Sequence, residues 1–76
     1  MRTVTLYGRP GCHLCDDARA ALESMRADHD FEIDEVDIES DDRLLARYLE
    51  RIPVIALDGE ELFDFFVDRA ELAARL

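Results

Sequence analysis

The sequence has no apolar run long enough to cross a membrane, no Gly- or Ser-rich linker, no internal repeat and only two cysteines. A membrane span needs roughly 20 apolar residues, so we expect no transmembrane helix and no membrane partner. The apolar stretch after residues 1–3 is too short for the core of a secretory signal peptide. The 76 residues leave room for one domain. We therefore predict a single domain over residues 1–76 that resides in the cytoplasm.

Basic residues are also few. Nine basic side chains stand against nineteen acidic ones, which gives a formal net charge of −10 at pH 7. An acidic surface repels phosphate backbones, so we expect no nucleic-acid partner. The excess acid either keeps a small domain soluble or steers the protein toward a basic patch on another protein. The sequence leaves both interpretations open.

Both cysteines lie in one short motif, Cys12-His13-Leu14-Cys15. An apolar run over residues 4–7 and a Gly-Arg-Pro-Gly turn over residues 8–11 precede it, and a helical pattern follows. Two cysteines with this spacing, at a junction between strand and helix, are typical of reversible dithiol–disulfide chemistry. The helix N-terminus favours the thiolate, which is the nucleophilic form. We therefore predict that Cys12 is the nucleophile and that Cys15, one turn further in, is the resolving thiol.

Hydrophobic periodicity predicts two of the elements in detail. The first helix, over residues 12–27, has an apolar face made of Leu14, Ala18, Leu22 and Met25. Residues 31–38 alternate between apolar and acidic side chains, as in a half-buried strand. The alternation slips after Ile33, so we expect a bulge or a late start in this strand.

Capping and turn residues place the remaining elements. Ser40 is the expected N-cap of a second helix that ends near residue 51. The Asp58-Gly59 pair predicts a tight hairpin between strands 53–57 and 60–65. Asp68 and Glu71 predict a capping box for a last helix over residues 69–76. The buried side of the second helix is expected to be Leu44, Leu45, Tyr48 and Leu49.

The order β-α-β-α-β-β-α, with its Cys-x-x-Cys motif and a proline at the start of the third strand, resembles the thioredoxin fold. Residues 6–15 are similar to the strand, turn and active site of the glutaredoxin-like family, and residues 51–54 to its cis-proline segment. The resemblance implies an α/β fold of three layers, with a four-stranded mixed sheet and helices on both faces. It also implies a cis Ile52–Pro53 bond and thiol–disulfide oxidoreductase activity without a cofactor.

Five residues are candidate substrate-binding residues: Arg9, His13, Arg51, Ile52 and Pro53. Arg9 and His13 either favour the Cys12 thiolate or contact substrate, or they are simply exposed. Arg51 either reaches the substrate or complements the dipole at a helix C-terminus. Ile52 and Pro53 are expected to line a groove that binds substrate backbone as an added strand.

The chain departs from standard glutaredoxins at two places. His13-Leu14 stands where Pro-Tyr is usual, and Phe65-Phe66-Val67-Asp68 fills the region where a Gly-Gly pair binds a carboxylate of glutathione. Without glycine the backbone cannot approach a ligand as closely. We therefore predict weak glutathione binding and a protein disulfide as the better substrate, with Phe66 on an apolar rim. The protein is expected to be a monomer, reduced by glutathione or a thioredoxin reductase.

Other uses of the two cysteines are alternatives to redox chemistry. A dimer holding a metal or iron–sulfur cluster through these thiolates is the main alternative. A zinc site within one chain would need four ligands, and His29 is distant in sequence from the motif. A structural disulfide would close a loop too short to stabilise the fold much. A redox-inert adaptor would have no need to keep both cysteines.

Overall fold

The computed structural model describes residues 1–76 and has the element order that the sequence predicts. The strands are β1 (Arg2–Gly8), β2 (Phe31–Asp37), β3 (Val54–Leu57) and β4 (Glu60–Asp64). The helices are α1 (His13–Met25), α2 (Asp42–Tyr48) and α3 (Arg69–Arg75), and a short 3-10 turn (Ile38–Ser40) precedes α2. None of these helices has the length and apolar character that a membrane span requires.

The strands form one mixed sheet in the order β2-β1-β3-β4. β1 runs parallel to β2 and antiparallel to β3, and β3 and β4 form a hairpin. The hairpin closes at Asp58 and Gly59, whose φ angles of 49° and 90° are both positive. Positive φ at both central residues is what the type I′ turn, a common two-residue hairpin turn, requires. The predicted parallel crossover and hairpin are therefore both confirmed.

Helices cover both faces of the sheet. The larger core cluster joins α1 and α3 to one face, and its buried members are Val4, Leu6, Ala18, Leu22, Met25, Phe31, Ile55, Leu57 and Leu72. A smaller cluster on the other face contains Ile38, Tyr48 and Val54, with Tyr7 stacked on Tyr48 at 4.5 Å between ring centroids. β3 is buried along its whole length because both faces are covered. The three-layer arrangement is thus confirmed.

The prediction of a bulge or a late start in β2 is wrong. β2 pairs with β1 in one continuous register, from Arg2 with Phe31 to Gly8 with Asp37. The alternation slips because Glu35 occupies a position on the same side of the strand as Phe31 and Ile33. A hydrogen bond from Arg19 of α1 satisfies the Glu35 carboxylate there. Because Glu35 is exposed at this end of the sheet, it needs no bulge to keep its charge out of the core.

Two predicted caps differ in detail. Asp41, not Ser40, caps α2, and its Oδ1 accepts from the backbone N–H of Arg43 at 2.8 Å. The Ser40 hydroxyl instead donates to the Asp37 carbonyl and ends the 3-10 turn. At α3 only half of the capping box forms. Asp68 accepts from the Glu71 N–H at 3.1 Å, whereas the Glu71 carboxylate accepts from Arg75.

Two leucines that the periodicity assigns to the core are exposed. Leu14 of α1 is 49% exposed and Leu49, just after α2, is 43% exposed. In α1 the buried position belongs to Cys15, beside Leu14 in sequence, which is 1% exposed. Burial of the cysteine turns Leu14 outward because neighbouring residues on a helix point in different directions. α2 is also shorter than predicted, and a turn replaces its last residues.

Candidate redox site at the start of helix α1

Cys12 and Cys15 form a disulfide, with 5.1 Å between their Cα atoms. Cys12 is the N-cap residue of α1, and its Sγ accepts a hydrogen bond from the Cys15 backbone N–H at 3.1 Å. Cys15 lies inside the first turn and is buried, whereas Cys12 is only partly covered. The two sulfurs therefore differ in access, and the outer one already has an amide donor that favours a negative charge.

Gly8, the last residue of β1, makes room for the buried sulfur. A Cβ atom at this position would lie 2.9 Å from Cys15 Sγ, which is closer than real Cβ contacts allow. The turn that follows contains Gly11 with φ of 77°, a left-handed conformation that glycine adopts without strain. Glycines on both sides of Arg9-Pro10 thus bring the start of α1 close to the end of β1. The sequence predicts this turn, but nothing in it indicates that Gly8 packs against Cys15.

The cis Ile52–Pro53 bond is present, as predicted. Pro53 is fully buried, and Ile52 packs partly buried against the smaller core cluster. Tyr7 pairs with Val54 across the β1–β3 ladder, so the next position along places Pro53 opposite Gly8. Gly8 in turn contacts Cys15. The fold therefore brings the proline segment to the end of the sheet where the disulfide lies.

Arg9 and His13 lie on the surface near the disulfide. Arg9 is paired with Glu39 at 3.4 Å, and the His13 side chain is 89% exposed, with its Nε2 3.9 Å from the Asp17 carboxylate. Neither side chain donates a hydrogen bond to Cys12 Sγ, whose donor is the Cys15 amide. Both residues remain within the neighbourhood of the site, and their role in binding remains a prediction.

Arg51 is held in a hydrogen-bond network between α2 and β4. Its guanidinium donates to Glu61 at 2.6 Å and to Asp64 at 3.0 Å, and it lies 5.3 Å from the Tyr48 ring centroid. Hydrogen bonds from Arg51, Tyr48 and Arg47 lower the pKa of Glu61 to about 2. Two carboxylates already neutralise Arg51, so little of its charge is left to attract a substrate anion. The sequence carries no local sign of this network. The role of Arg51 in substrate binding stays a prediction.

Two cavities of about 220 Å³ each lie beside α1. The first reaches Cys15 and has charged residues in its wall, among them Arg9, Arg19 and Glu35. The second, which we call the apolar groove, runs between α1 and the loop after β4. Asp17 is its only polar lining residue, and the others are Leu14, Ala18, Ala21, Phe65, Phe66 and Val67.

The loop after β4 fills the region where the resemblance predicts a glycine pair. Phe65 and Phe66 are 50% and 64% exposed, so Phe66 does lie on an apolar rim, as predicted. The Phe65 N–H donates to the Pro53 carbonyl at 2.7 Å, and the Phe66 N–H donates to the Asp64 carbonyl at 2.9 Å. Both amides are thus used within the chain. No three His, Cys, Asp or Glu side chains converge as metal ligands, so a metal cluster would need a second chain.

Comparison with known proteins agrees with this architecture. The model of the family described as "Glutaredoxin-like domain (DUF836)" matches residues 3–76. A protein of Nitrosomonas europaea, solved by NMR, is similar with a TM-score of 0.88 and 32% identity, over 99% of this chain and 91% of that one. A protein from X. campestris, solved by X-ray methods, has a TM-score of 0.73 and 40% identity, over 95% and 92% of the two chains.

A thioredoxin variant from Halobacterium salinarum shares the fold, with a TM-score of 0.67 and 19% identity over 97% of this chain and 70% of that one. No curated protein matches the chain. The family match spans nearly the whole sequence and includes both cysteines and the cis-proline segment. The chain therefore belongs to the glutaredoxin-like domain family.

Proposed function

We propose that this protein is a thiol–disulfide oxidoreductase that acts on disulfides of other proteins. The observation that carries the proposal is the unequal pair of sulfurs at the start of α1. Cys12 is the outer sulfur and accepts a backbone hydrogen bond, whereas Cys15 is 1% exposed. An accessible, stabilised thiolate suits the first attack, and a shielded thiol one turn away suits the second.

In the first step the reduced Cys12 thiolate attacks one sulfur of the substrate disulfide. A bond forms between Cys12 Sγ and that sulfur, the substrate S–S bond breaks, and the other substrate sulfur leaves as a thiolate that takes a proton from solvent. Cys15 then loses its proton and attacks Cys12 Sγ. The Cys12–Cys15 bond forms, the mixed disulfide breaks, and the second substrate sulfur leaves. Two electrons pass to the substrate, and Cys12 and Cys15 are left as a disulfide. A thiol donor, either glutathione or a thioredoxin reductase, then supplies two electrons that reduce this disulfide.

Two features favour a protein disulfide over a glutathione disulfide. The amides of Phe65 and Phe66 donate to carbonyls of the chain, so they are not available to a glutathione carboxylate. An ordinary hydrogen bond contributes about 0.5–1.5 kcal/mol, so the loss of two weakens binding by about tenfold or more. The net charge of −10 also opposes an anionic tripeptide. Arg9, beside Cys12 in the turn, is the cation still close to the site.

A comparison of two substrates tests this proposal. The same thiol donor drives turnover of a cysteine–glutathione mixed disulfide and of a protein disulfide such as insulin. We expect kcat/KM to be at least about tenfold higher on the protein disulfide. Higher efficiency on the glutathione disulfide, or micromolar binding of glutathione in an NMR titration, would contradict the preference for protein disulfides and indicate a standard glutaredoxin activity. A coloured, dimeric protein with cluster absorbance and no turnover would instead favour the cluster carrier.

A further inference from the structure

We infer that the apolar groove binds an apolar side chain of the substrate protein that has a basic residue beside it. This inference rests on the proposed function and names the kind of substrate segment that the site accepts. The groove's three most exposed large side chains, Leu14, Phe65 and Phe66, are 49%, 50% and 64% exposed. They line one cavity of about 220 Å³, which is room for a leucine- or phenylalanine-sized side chain.

Both walls of the groove are built from segments that adjoin the redox site. On one wall Leu14 lies between the two cysteines in sequence, and Asp17, Ala18 and Ala21 continue the same side of α1. On the other wall Phe65 is tied to Pro53 by its 2.7 Å backbone hydrogen bond. A substrate whose sulfur reaches Cys12 and whose backbone passes the partly exposed Ile52, next to Pro53, therefore brings neighbouring side chains to the groove.

The conformation of Phe65 gives the second argument. Its φ of 74° is in the left-handed region, where a bulky side chain is an outlier. Packing in the core does not compensate for this conformation, because half of the side chain is in solvent. Strained residues of this kind persist where the surrounding structure holds them and where they serve a site. Here the strain presents an aromatic ring at the mouth of the groove.

The charge of the surface selects the partner. All nine basic residues are arginines, and eight of them form ion pairs within the chain, at positions 2, 9, 19, 26, 43, 47, 51 and 75. The positive charge is thus largely used internally. The polar residue that lines the groove is Asp17, 65% exposed. At the other wall, Asp68 is followed by Arg69, the one arginine without an ion pair, so these two charges offset each other and Asp17 sets the charge of the groove. An apolar side chain with a basic neighbour complements both features.

Synthetic peptides test the groove. Each peptide contains one cysteine linked as a mixed disulfide to a chromogenic nitrobenzoate thiol, and the reduced protein releases the chromophore in a single turnover. A Leu–Arg pair is placed at successive positions on either side of the cysteine. Matched peptides carry Leu–Glu or Ser–Arg instead, and blocked cysteine with the same chromophore is the reference. Each rate is divided by the rate on the reference.

We expect one Leu–Arg position to react at least about tenfold faster than its Ser–Arg counterpart, since burial of a leucine favours binding by that much or more. The same position should exceed Leu–Glu by about threefold at low salt. Equal normalised rates on all peptides would overturn the inference that the groove binds a substrate side chain, while leaving the proposed function intact. No chromophore release from any disulfide, the reference included, would overturn both.

Three variants sharpen the result. Phe66→Ser should remove most of the preference for leucine, whereas Leu49→Ser, matched in chemistry and 43% exposed on the α2 side, should keep it. Asp17→Asn should keep the preference for leucine and lose the preference for Arg over Glu. Circular dichroism checks that each variant folds. If Leu49→Ser and Phe66→Ser behave alike, the inference is wrong. A wild-type dimer that Phe66→Ser dissociates would also overturn it, because a second copy would then occupy the groove.

Discussion

The α2 side of strand β4 and the loop that follows β4 differ in whether their side chains have partners within the chain. On the α2 side, Arg51 and Arg47 both donate to Glu61, Tyr48 donates to Glu61 at 2.8 Å, and Tyr7 stacks on the same tyrosine. At the C-terminal end of β4, the loop toward α1 leaves large apolar side chains in solvent beside a disulfide. The polar groups of the first region have partners within the chain, whereas the apolar side chains of the second are exposed.

This difference separates residues that hold the fold from residues that are available for function. A charged group whose partners lie within the chain contributes to stability and offers little to a ligand. An exposed apolar patch contributes little to stability and is typical of an interaction site. The same distinction applies to the arginines. Arg51, a predicted binding residue, lies on the satisfied side, whereas the disulfide and the groove lie on the other.

The largest expected effect comes from the two cysteines. Cys12→Ser should abolish turnover, and Cys15→Ser should stop the reaction after the first step and accumulate a covalent mixed disulfide with the substrate. Mass spectrometry of the intact protein measures both. Neither substitution touches the α2 network, so the far side should keep its stability. A Cys15→Ser variant that turns over like the wild type, with no trapped species, would refute the assignment of a resolving thiol.

Gly8→Ala is expected to give the next largest effect. The added methyl would lie 2.9 Å from Cys15 Sγ, so the sulfur or the strand must shift. Overpacking of this kind costs about 1–3 kcal/mol, and a displaced Cys15 should slow the second step of the reaction. Stopped-flow kinetics should therefore show the mixed disulfide accumulating in this variant. Thr5→Ala, on the same strand, is the control. Unchanged kinetics in Gly8→Ala would mean that the contact does not position Cys15.

A smaller effect is expected from Glu61→Gln, which tests the α2 side. Because the folded-state pKa of Glu61 is lowered to about 2, its ion pairs stabilise the fold above the unfolded-state pKa of 4.5. That stabilisation is lost as the pH falls through the folded-state pKa. Glu61→Gln should lower the free energy of unfolding by about 1–2 kcal/mol at neutral pH. Urea unfolding at about pH 6 and at about pH 2 measures it. An equal deficit at both pH values would contradict an electrostatic origin.

The smallest effect concerns stability at the apolar groove. Phe66→Ser and Leu49→Ser should each change the free energy of unfolding by no more than about 0.5 kcal/mol, because both side chains are largely exposed. Denaturant unfolding of the two variants against the wild type makes the comparison. A loss of more than about 2 kcal/mol in Phe66→Ser would place this ring in the core and remove the contrast between the two regions.

Much of the fold follows from local signals in the sequence. The Asp58-Gly59 turn, the Asp68 cap and the proline before β3 each act within a few residues, so they placed their elements correctly. The apolar face of α1 was harder to predict because Leu14 and Cys15 are neighbours and periodicity prefers the leucine. Only the packing of Cys15 against Gly8 decides which of them is buried.

The parts that the sequence did not predict depend on contacts across the chain. Arg51 meets Glu61 and Asp64 only because β4 folds back beside α2. The groove forms only because the loop after β4 packs next to α1, about fifty residues earlier in sequence. The sequence marks Phe66 as a candidate for an apolar rim, whereas Ala21 carries no such signal. Long-range register is what turns these separate residues into a site.

The central claim is that the two cysteines have different roles because their access differs. Alkylation of the fully reduced protein at neutral pH, with a substoichiometric reagent followed by peptide mapping, tests this claim directly. Cys12, partly exposed and hydrogen-bonded by an amide, should be labelled first, and Cys15, 1% exposed, should react at least about tenfold more slowly. Faster labelling of Cys15 would contradict the account.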